Sequence, residues 1–565
     1  MSDISGFPKR SRINNYYDTK KLEDKLQILL QQDICSVSEL DSWLAEERLL
    51  FAEVEELITS HQINFYRDIK NTNKRDVYLY FQTNIQPLLT KYNAEFDKKF
   101  SNCPFSKLLE EEKYGYMRKV RLEKSKMFNE KNIPLNVREN ELITKYREIL
   151  AGITIEWDGE TKSYSYIKAK LDSPNRQIRE RAWRALSESH MIVKPDVDGI
   201  MNELVKLRHQ MALNAGFSNY RDYVFKLKNR EHSIQDCYTF HESVERYAIP
   251  VWKRLARVFE IELGIEKYRP WDISPCTLQK APFNNVIDLL DGVEKMLGKT
   301  DLYFKERFQY IRKQGLIDVE ERKNKAPGAV CFTLPKTRNV FIYSNFSPSF
   351  NAINALIHEL GHAIHFYKQF ANESGVQEQY LREEVAELYS HSLELMLVDK
   401  LEIFYPEKNE FKKAQREQMH RAFSMLISPL AGDLFQHWLY TNPNHSPEER
   451  DAKYLEISKR FQYSSVDITG FETEIGASWI ESFHYFQYPF YKIEYAISQL
   501  GALQLFQIYR ENPEKAINLY KEGASMDWNL PIADIYRNTG VNFDFSEQTI
   551  KDISEFIINI IEDLN

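Results

Sequence analysis

One pentapeptide of this chain has residue types and a spacing that suit a catalytic metal site, His358-Glu359-Leu360-Gly361-His362. On a helix, residues four apart project from the same face, one turn from each other. His358 and His362 are therefore expected to bind one Zn²⁺, with Glu359 beside the open coordination position. A catalytic zinc takes three protein ligands and a water, so a third ligand is expected elsewhere in the chain.

The third ligand is expected on a later helix. The metzincin pattern, which has a third histidine three residues after a glycine, is absent because His365 occupies the place of that glycine. The segment 381–394 has helical periodicity, with an apolar side and a polar side. Spacing alone leaves several candidate ligands on the polar side: Glu383, Glu384, Glu387, His391 and Glu394. Glu387 is preferred because it is central on that side, whereas Glu383 and Glu384 are expected to face solvent.

The elements that position these residues are predicted to be mainly helical. Glycine (19) and proline (20), which interrupt helices, are scarce in the 565 residues. Helical periodicity runs from Tyr17 to about Glu148 and resumes after Pro174 as far as about Leu263.

Two β-rich regions interrupt the helices. Residues 154–162 alternate around an Asp-Gly pair, which predicts a hairpin. Residues 330–333 and 339–343 are predicted strands before the motif helix, whose N-cap is expected to be Ser349. The second of these strands is expected to be a sheet edge, to which an extended peptide could add through backbone hydrogen bonds.

Composition excludes several classes of protein. The net charge is −8 with no block of lysine and arginine, so neither nucleic acid nor an anionic membrane is an expected partner. The N-terminal residues are polar, and no apolar stretch approaches the length of a membrane span. Neither a phosphate-binding P-loop nor a GxGxxG motif occurs. An odd set of dispersed cysteines predicts free thiols in the cytoplasm: Cys35, Cys103, Cys237, Cys276 and Cys331.

An aromatic segment near the C-terminus is the second unusual feature. It places one histidine and three tyrosines at the spacing i, i+4, i+7, i+11: His484, Tyr488, Tyr491 and Tyr495. Pro489 indicates that a helix begins near Tyr488. By themselves, these rings are best explained as core packing.

The two helical motifs together resemble the thimet oligopeptidase/oligoendopeptidase F family of zinc metallopeptidases. That family carries HE-x-GH-x-x-H and then, after a similar gap, E-x-x-S-x-x-x-E, as residues 358–365 and 387–394 do here. The resemblance is closest to the oligoendopeptidase F and Pz-peptidase branch, and it extends from about residue 149 onward. It implies one Zn²⁺ per chain, with Glu387 as the third ligand. It also implies a set of groups that orient the ligands: Ser390, Glu394 and His365.

The resemblance also gives the aromatic segment a function. It implies that His484 and the tyrosines point across a cleft at the substrate and stabilise its oxyanion. Tyr488 and Tyr495 keep the family's seven-residue spacing, whereas Lys492 stands where the thimet branch has a tyrosine. Which of the phenols of Tyr488, Tyr491 and Tyr495 contacts the oxyanion is left open.

The implied fold is a large, mainly α, two-lobed helical metallopeptidase with a deep central cleft and a small β-sheet beside the motif helix. A soft boundary separates an N-terminal helical lobe, 1–190, from a catalytic helical lobe, 191–565. The implied activity is hydrolysis of internal bonds in short oligopeptides in the cytoplasm, with Glu359 as general base.

Two alternatives to an endopeptidase are kept. A related helical zinc carboxypeptidase or peptidyl-dipeptidase has the same first motif but carries His-Glu-Ser or His-Glu-Ala around the third ligand. This chain has Ala386-Glu387-Leu388, which disfavours that reading. A catalytically inactive peptide-binding protein is the alternative from a different class, although such proteins usually lack the base or a ligand. Oligomeric state does not follow from the sequence.

Overall fold

The computed structural model describes residues 18–273, 278, 281–326, 328–346, 348–371 and 382–564. Within these ranges the chain is mainly helical, as predicted, and contains two small sheets. The polar N-terminal residues and Cys276 lie outside the described residues, and the other four cysteines are free thiols. No helix in the described ranges is both long enough and apolar enough to cross a bilayer.

The described α-helices and strands follow in chain order. The first group is α1 (Thr19–Gln31), α2 (Val37–Tyr66), α3 (Thr72–Tyr80), α4 (Gln86–Asn102), α5 (Glu111–Met127), α6 (Asn132–Ala151), β1 (Thr154–Trp157), β2 (Glu160–Ser163), α7 (Tyr164–Lys168), α8 (Arg176–Asn214), α9 (Tyr220–Leu227), α10 (Ile234–Ser243) and α11 (Ile249–Leu263). The second group is α12 (Val286–Thr300), α13 (Leu302–Lys313), β3 (Ile317–Glu320), β4 (Val330–Leu334), β5 (Asn339–Phe346), α14 (Phe350–Phe370), α15 (Glu383–Met396), α16 (Lys408–Thr441), α17 (Pro447–Arg460), α18 (Glu472–Ala477), α19 (Phe483–Gln487), α20 (Lys492–Glu511), α21 (Pro513–Ala524), α22 (Ile532–Asn538) and α23 (Glu547–Leu564).

The chain divides into two compact units, each built from three separate segments. The first unit is Met1–Phe128, Pro282–Ile403 and Ile508–Val541, and it contains β3–β5, α14 and α15. The second unit is Asn129–Ala281, Phe404–Gln507 and Asn542–Asn565, and it contains the β1–β2 hairpin, α10 and α16. Neither unit ends near residue 190, where the sequence suggested a boundary between two contiguous lobes.

The hairpin in the second unit forms as predicted. β1 and β2 pair antiparallel, with Trp157 opposite Glu160. Asp158 and Gly159, the two residues between them, have φ angles of 54° and 78°. Aspartate and glycine tolerate positive φ better than most residues, and a turn with positive φ at both central positions matches the twist of the strands it joins.

The sheet in the first unit has the order β3-β5-β4. β4 and β5 are the two predicted strands, and they pair antiparallel. β3 was not predicted, and it pairs parallel to β5. The expectation that β5 is a sheet edge is therefore wrong. β5 is central because a strand from another part of the chain pairs with its second side, and its almost continuous burial is typical of that position.

The motif helix α14 packs directly on α15. It begins after Ser349, whose hydroxyl accepts a hydrogen bond from the Ala352 N–H at 3.2 Å, so the predicted N-cap is confirmed. At the crossing, Gly361 faces the backbone of α15. A Cβ atom at position 361 would lie 2.5 Å from the Cα of Ser390 and 2.9 Å from the carbonyl oxygen of Tyr389. Only glycine, which has no Cβ atom, lets the two helices approach this closely.

Asp318 on β3 is the centre of a buried ionic group in the first unit. Its carboxylate accepts hydrogen bonds from Arg67 at 2.6 Å, from Lys325 at 2.8 Å and from Arg322 at 2.6 Å. Burial opposes ionisation, but hydrogen bonds from Arg322 and Lys325 outweigh it and hold the pKa of Asp318 well below its usual range. The group joins β3 to the end of α2.

Replacing Gly361 with alanine is expected to destabilise the protein by about 1–3 kcal/mol, because the added methyl group meets backbone atoms that cannot rotate away. Urea unfolding measures this loss. Gly199→Ala is the matched control, since an added Cβ on that helical glycine meets nothing within 4 Å. The control is expected to be neutral or stabilised by up to about 1 kcal/mol. Equal behaviour of the two variants would show that the α14–α15 contact is looser than described.

Asp318→Asn is expected to lower stability near neutral pH by about 1–3 kcal/mol, because three cations lose their charged acceptor. The folded-state pKa of Asp318 lies below its unfolded value. Its contribution is therefore complete above about pH 4 and is lost as the pH falls further. Urea unfolding should show a smaller stability difference between the unaltered chain and Asp318→Asn at about pH 3 than at neutral pH. Asp158→Asn, at a carboxylate that is 68% exposed, is the control with little expected effect. A pH-independent difference would contradict the assignment.

Candidate metal centre

Helix α14 presents the two motif histidines as neighbours on one face. Their ring centroids are 4.8 Å apart and the rings are perpendicular. The side chains of His358 and His362 are 17% and 15% exposed. They are thus accessible although the rest of α14 is largely buried.

Helix α15 adds a buried carboxylate to the pair. Glu387 Oε2 lies 3.3 Å from His358 Nε2 and 3.7 Å from His362 Nε2. Two ligands that each lie about 2.1 Å from a tetrahedral zinc are about 3.4 Å from each other. The spacing of these three atoms therefore fits a single ion of that size, and the donor set of two imidazoles and one carboxylate is one that zinc takes in enzymes.

The charges in this cluster favour a cation. Burial opposes ionisation of Glu387, but the neighbouring histidines outweigh it and lower its pKa to about 2. Burial lowers the pKa of His362 to about 4, which keeps that ring neutral and able to ligate. Burial also disfavours the charged form of His358, but its hydrogen bonds to Glu387 and Glu394 win and raise its pKa well above the usual value. The carboxylates of Glu387 and Glu394 thus lie beside one ring whose charged form is favoured and one ring that stays neutral, so a further positive charge is favourable there.

A second row of side chains on α15 contacts the first. His358 Nδ1 lies 2.8 Å from Glu394 Oε1, and the expected role of Glu394 in orienting this ring stays a prediction. His391 joins this row, with its Nδ1 3.4 Å from Glu394 Oε1 and its Nε2 4.0 Å from Glu387 Oε2. Sequence reasoning weighed His391 only as an alternative ligand. Its i+4 spacing from Glu387 was the signal that it belongs to this row.

Glu359 is buried next to this cluster, with 6% of its surface exposed. Burial raises the pKa of its carboxyl group to about 7, against the opposing effect of charge on His358. The backbone N–H of Cys331, on β4, is a further partner that favours the carboxylate. The sheet beside the motif helix therefore helps to position Glu359.

Ser390 and His365, the other two residues expected to orient the ligands, have different surroundings. Ser390 is fully buried at the contact with Gly361. His365 is not joined to the cluster of ligands: its ring packs 4.5 Å from that of Tyr389 and lines a small internal cavity with Gln369 and Arg382. Burial lowers the pKa of His365 to about 3.

The expectation that Glu383 and Glu384 face solvent is wrong for Glu384, which is 3% exposed. The hydroxyl group of Tyr536 donates to its backbone carbonyl at 2.9 Å. Tyr536 belongs to α22, a helix distant in sequence that packs on α15, whereas Glu387 and Glu394 on the polar side of α15 face the histidines of α14.

The aromatic segment lies in the second unit, where its four predicted side chains form one cluster. The Tyr495 hydroxyl is 3.4 Å from His484 Nε2, and the rings of Tyr491 and Tyr495 are 5.1 Å apart. Tyr488 is 45% exposed. The expected helix start near Tyr488 is wrong, because α19 ends there and α20 begins at Lys492. Between them, Phe490 has a φ of 60°, a left-handed conformation that interrupts a helix.

Comparison with known proteins identifies the family of this chain. The family model for peptidase family M3 matches residues 169–553. An oligoendopeptidase F homolog of Mycoplasma pneumoniae is 20% identical over 555 residues, which are 94% of this chain and 84% of that protein. The oligopeptidase PepF of Bacillus subtilis is 22% identical over 384 residues, which are 66% of this chain and 55% of that protein.

Solved structures show the same fold. Pz peptidase A, determined with an inhibitor, has a TM-score of 0.91 at 22% identity and covers 99% of both chains. An oligoendopeptidase F from Bacillus anthracis has a TM-score of 0.86 at 21% identity and covers 100% of this chain and 98% of its own. The motifs on α14 and α15 lie within the residues that the family model matches, and on these grounds the chain belongs to peptidase family M3 and is a metalloendopeptidase.

Proposed function

We propose that this chain is a zinc-dependent oligoendopeptidase that cleaves internal bonds of short peptides in the cytoplasm. The observation that carries the proposal is the convergence of His358, His362 and Glu387 at distances suited to one zinc ion, beside the buried carboxyl group of Glu359. The names of the relatives, oligoendopeptidase F and oligopeptidase, support the substrate class. The free thiols of the described cysteines support a reducing compartment.

In this proposal His358, His362 and Glu387 hold the zinc. When bound, zinc polarises the scissile carbonyl and makes a water molecule more acidic. Glu394 holds the ring of His358 through Nδ1, which leaves Nε2 directed at the ion. The partial exposure of the two histidines leaves room for a substrate carbonyl on that side.

Glu359 is proposed to move the proton. Its carboxylate takes a proton from the attacking water and passes it to the nitrogen of the leaving amine. This requires a carboxyl group beside the reacting carbonyl and shielded from bulk water, and the burial of Glu359 meets that requirement.

The oxyanion that develops on the substrate needs hydrogen-bond donors. We assign this to the cluster of His484, Tyr488, Tyr491 and Tyr495, whose imidazole and phenol groups are donors. The assignment rests on the resemblance and on the mutual contacts of these side chains in the second unit.

The substrate backbone is proposed to add to the sheet of the first unit at β4. β4 is an edge strand in the order β3-β5-β4, and it contributes the Cys331 backbone beside Glu359. Backbone pairing reads an extended conformation and not a particular side chain, which predicts broad sequence preference.

Glu359→Gln is expected to lower kcat/KM by about 10²–10⁴-fold on an internally quenched peptide with blocked ends, because the amide cannot accept the proton. Zinc content should be unchanged. Glu383→Gln, on the first turn of α15, is the control and should retain activity. Chelation should abolish cleavage and zinc should restore it. Near-normal activity of Glu359→Gln would refute its role, and cleavage only of peptides with a free C-terminus would favour the carboxypeptidase alternative.

Glu394→Gln is expected to weaken zinc binding by about 10–100-fold, because a neutral amide holds the His358 ring less firmly than a carboxylate does. Competition with a chromophoric zinc chelator measures this without any peptide substrate. Glu383→Gln again serves as the control, since it was an alternative ligand by spacing alone. Weaker binding in Glu383→Gln and unchanged binding in Glu394→Gln would reverse the assignment.

A further inference from the structure

A second cluster of metal-ligating side chains lies in the second unit, apart from the residues assigned to catalysis. Two helices contribute to it, each with a pair of residues four apart. α10 contributes Cys237 and His241, and α16 contributes Asp433 and His437. Residues with this spacing share a helix face, so each helix presents two potential ligands on one side.

These side chains meet around the carboxylate of Asp433. Its Oδ2 lies 3.0 Å from His241 Nε2 and 3.1 Å from His437 Nε2. One ligand atom from each of Cys237, Asp433 and His437 lies within 4.8 Å of the others. The contact with His437 does not have hydrogen-bond geometry, and its 3.1 Å separation is compatible with two atoms that share one zinc ion.

Several of these buried polar atoms lack a hydrogen bond among the described residues. They are Asp433 Oδ1 and both ring nitrogens of His437. Asp433 is 0% and His437 1% exposed, so bulk water does not reach them. A buried polar group without a partner costs about 1–3 kcal/mol, and a charged one costs more. A cation between the carboxylate, the imidazole and the thiolate would satisfy Asp433 Oδ1 and one ring nitrogen of His437.

Aromatic rings enclose the cluster. His437 has the rings of Tyr238, Phe490 and Phe225 at 5.0, 5.5 and 5.7 Å, and His241 has Phe461 at 6.4 Å. Enclosure of this kind suits a closed, structural site, because it leaves no open position for a substrate.

We propose that Cys237, Asp433 and His437 bind a second zinc ion that stabilises the second unit. The thiolate and imidazole donors select zinc over magnesium or calcium, which prefer oxygen ligands. The sulfur, one ring nitrogen and one oxygen of Asp433 supply three donors, and the second oxygen of the same carboxylate can complete the coordination as a bidentate ligand. His241 donates to Asp433 and orients its carboxylate. On binding, the Cys237 thiol loses its proton to solvent while no redox change occurs. The sequence predicted only one zinc per chain, and this site adds a second.

Metal analysis of the purified full-length chain tests the proposal. The unaltered chain should contain two zinc ions, and the double variant His358→Ala/His362→Ala should retain one. Adding Cys237→Ala to that double variant should remove the remaining ion. If the double variant lost no metal, the catalytic assignment would fail. The second site is judged separately, by whether Cys237→Ala then removes an ion.

Cobalt substitution provides a test that leaves the second site unaltered. In the His358→Ala/His362→Ala background, Co²⁺ bound to Cys237 should give a thiolate-to-metal charge-transfer band, which the catalytic ligands cannot produce. Cys35→Ser is the matched control, because Cys35 is an exposed thiol that could bind metal adventitiously, and the band should persist in it. One zinc in the unaltered chain, none in the double variant and no charge-transfer band would overturn the proposal.

Discussion

The candidate metal centre depends on one packing contact, the approach of α14 to α15 at Gly361. The three atoms that fit one ion come from both helices, with two imidazoles on α14 and the Glu387 carboxylate on α15. Ligand distances tolerate only a few tenths of an ångström, so the separation of the helices has to be equally well defined. A glycine opposite the Ser390 backbone sets that separation, because any side chain at position 361 would hold the helices apart.

Electrostatics favour an ion at this contact. Glu387 and Glu394 are both buried near His358, and bringing two carboxylates into a protein interior is costly unless positive charge accompanies them. Histidines of the same cluster contact both carboxylates. Positive charge on the neighbouring histidines keeps Glu387 ionised, and a bound cation would add to that positive charge. Glu359 differs because burial raises its pKa to about 7, which suits the proton exchange proposed for it.

Each cluster combines a ligand pair four residues apart on one helix with a single ligand from a second helix packed against it. They differ in access to solvent. His358 and His362 retain measurable exposure, whereas Asp433 and His437 retain almost none. An ion that is to activate a water and polarise a substrate needs an open position, and an ion that only holds two helices together does not. The same helical arrangement can thus support catalysis in one unit and stability in the other.

Several features followed from the sequence by itself. The spacing of His358 and His362 predicted a shared helix face, the Asp-Gly pair predicted the β1–β2 turn, and Ser349 predicted the start of α14. Each of these depends on residues close together in the chain, for which helical or strand periodicity and backbone preferences are sufficient.

Only the tertiary structure decided the rest. It paired β3 with β5, placed Tyr536 of α22 against the backbone of Glu384, brought His391 close to Glu394, and built each compact unit from three separated segments. Periodicity along one segment shows that a face is apolar or polar, but it does not show which other segment covers that face. The separation of the ligand atoms at the Gly361 contact is one example. It depends on the backbone of α15, and the sequence of α14 does not show that α15 packs there.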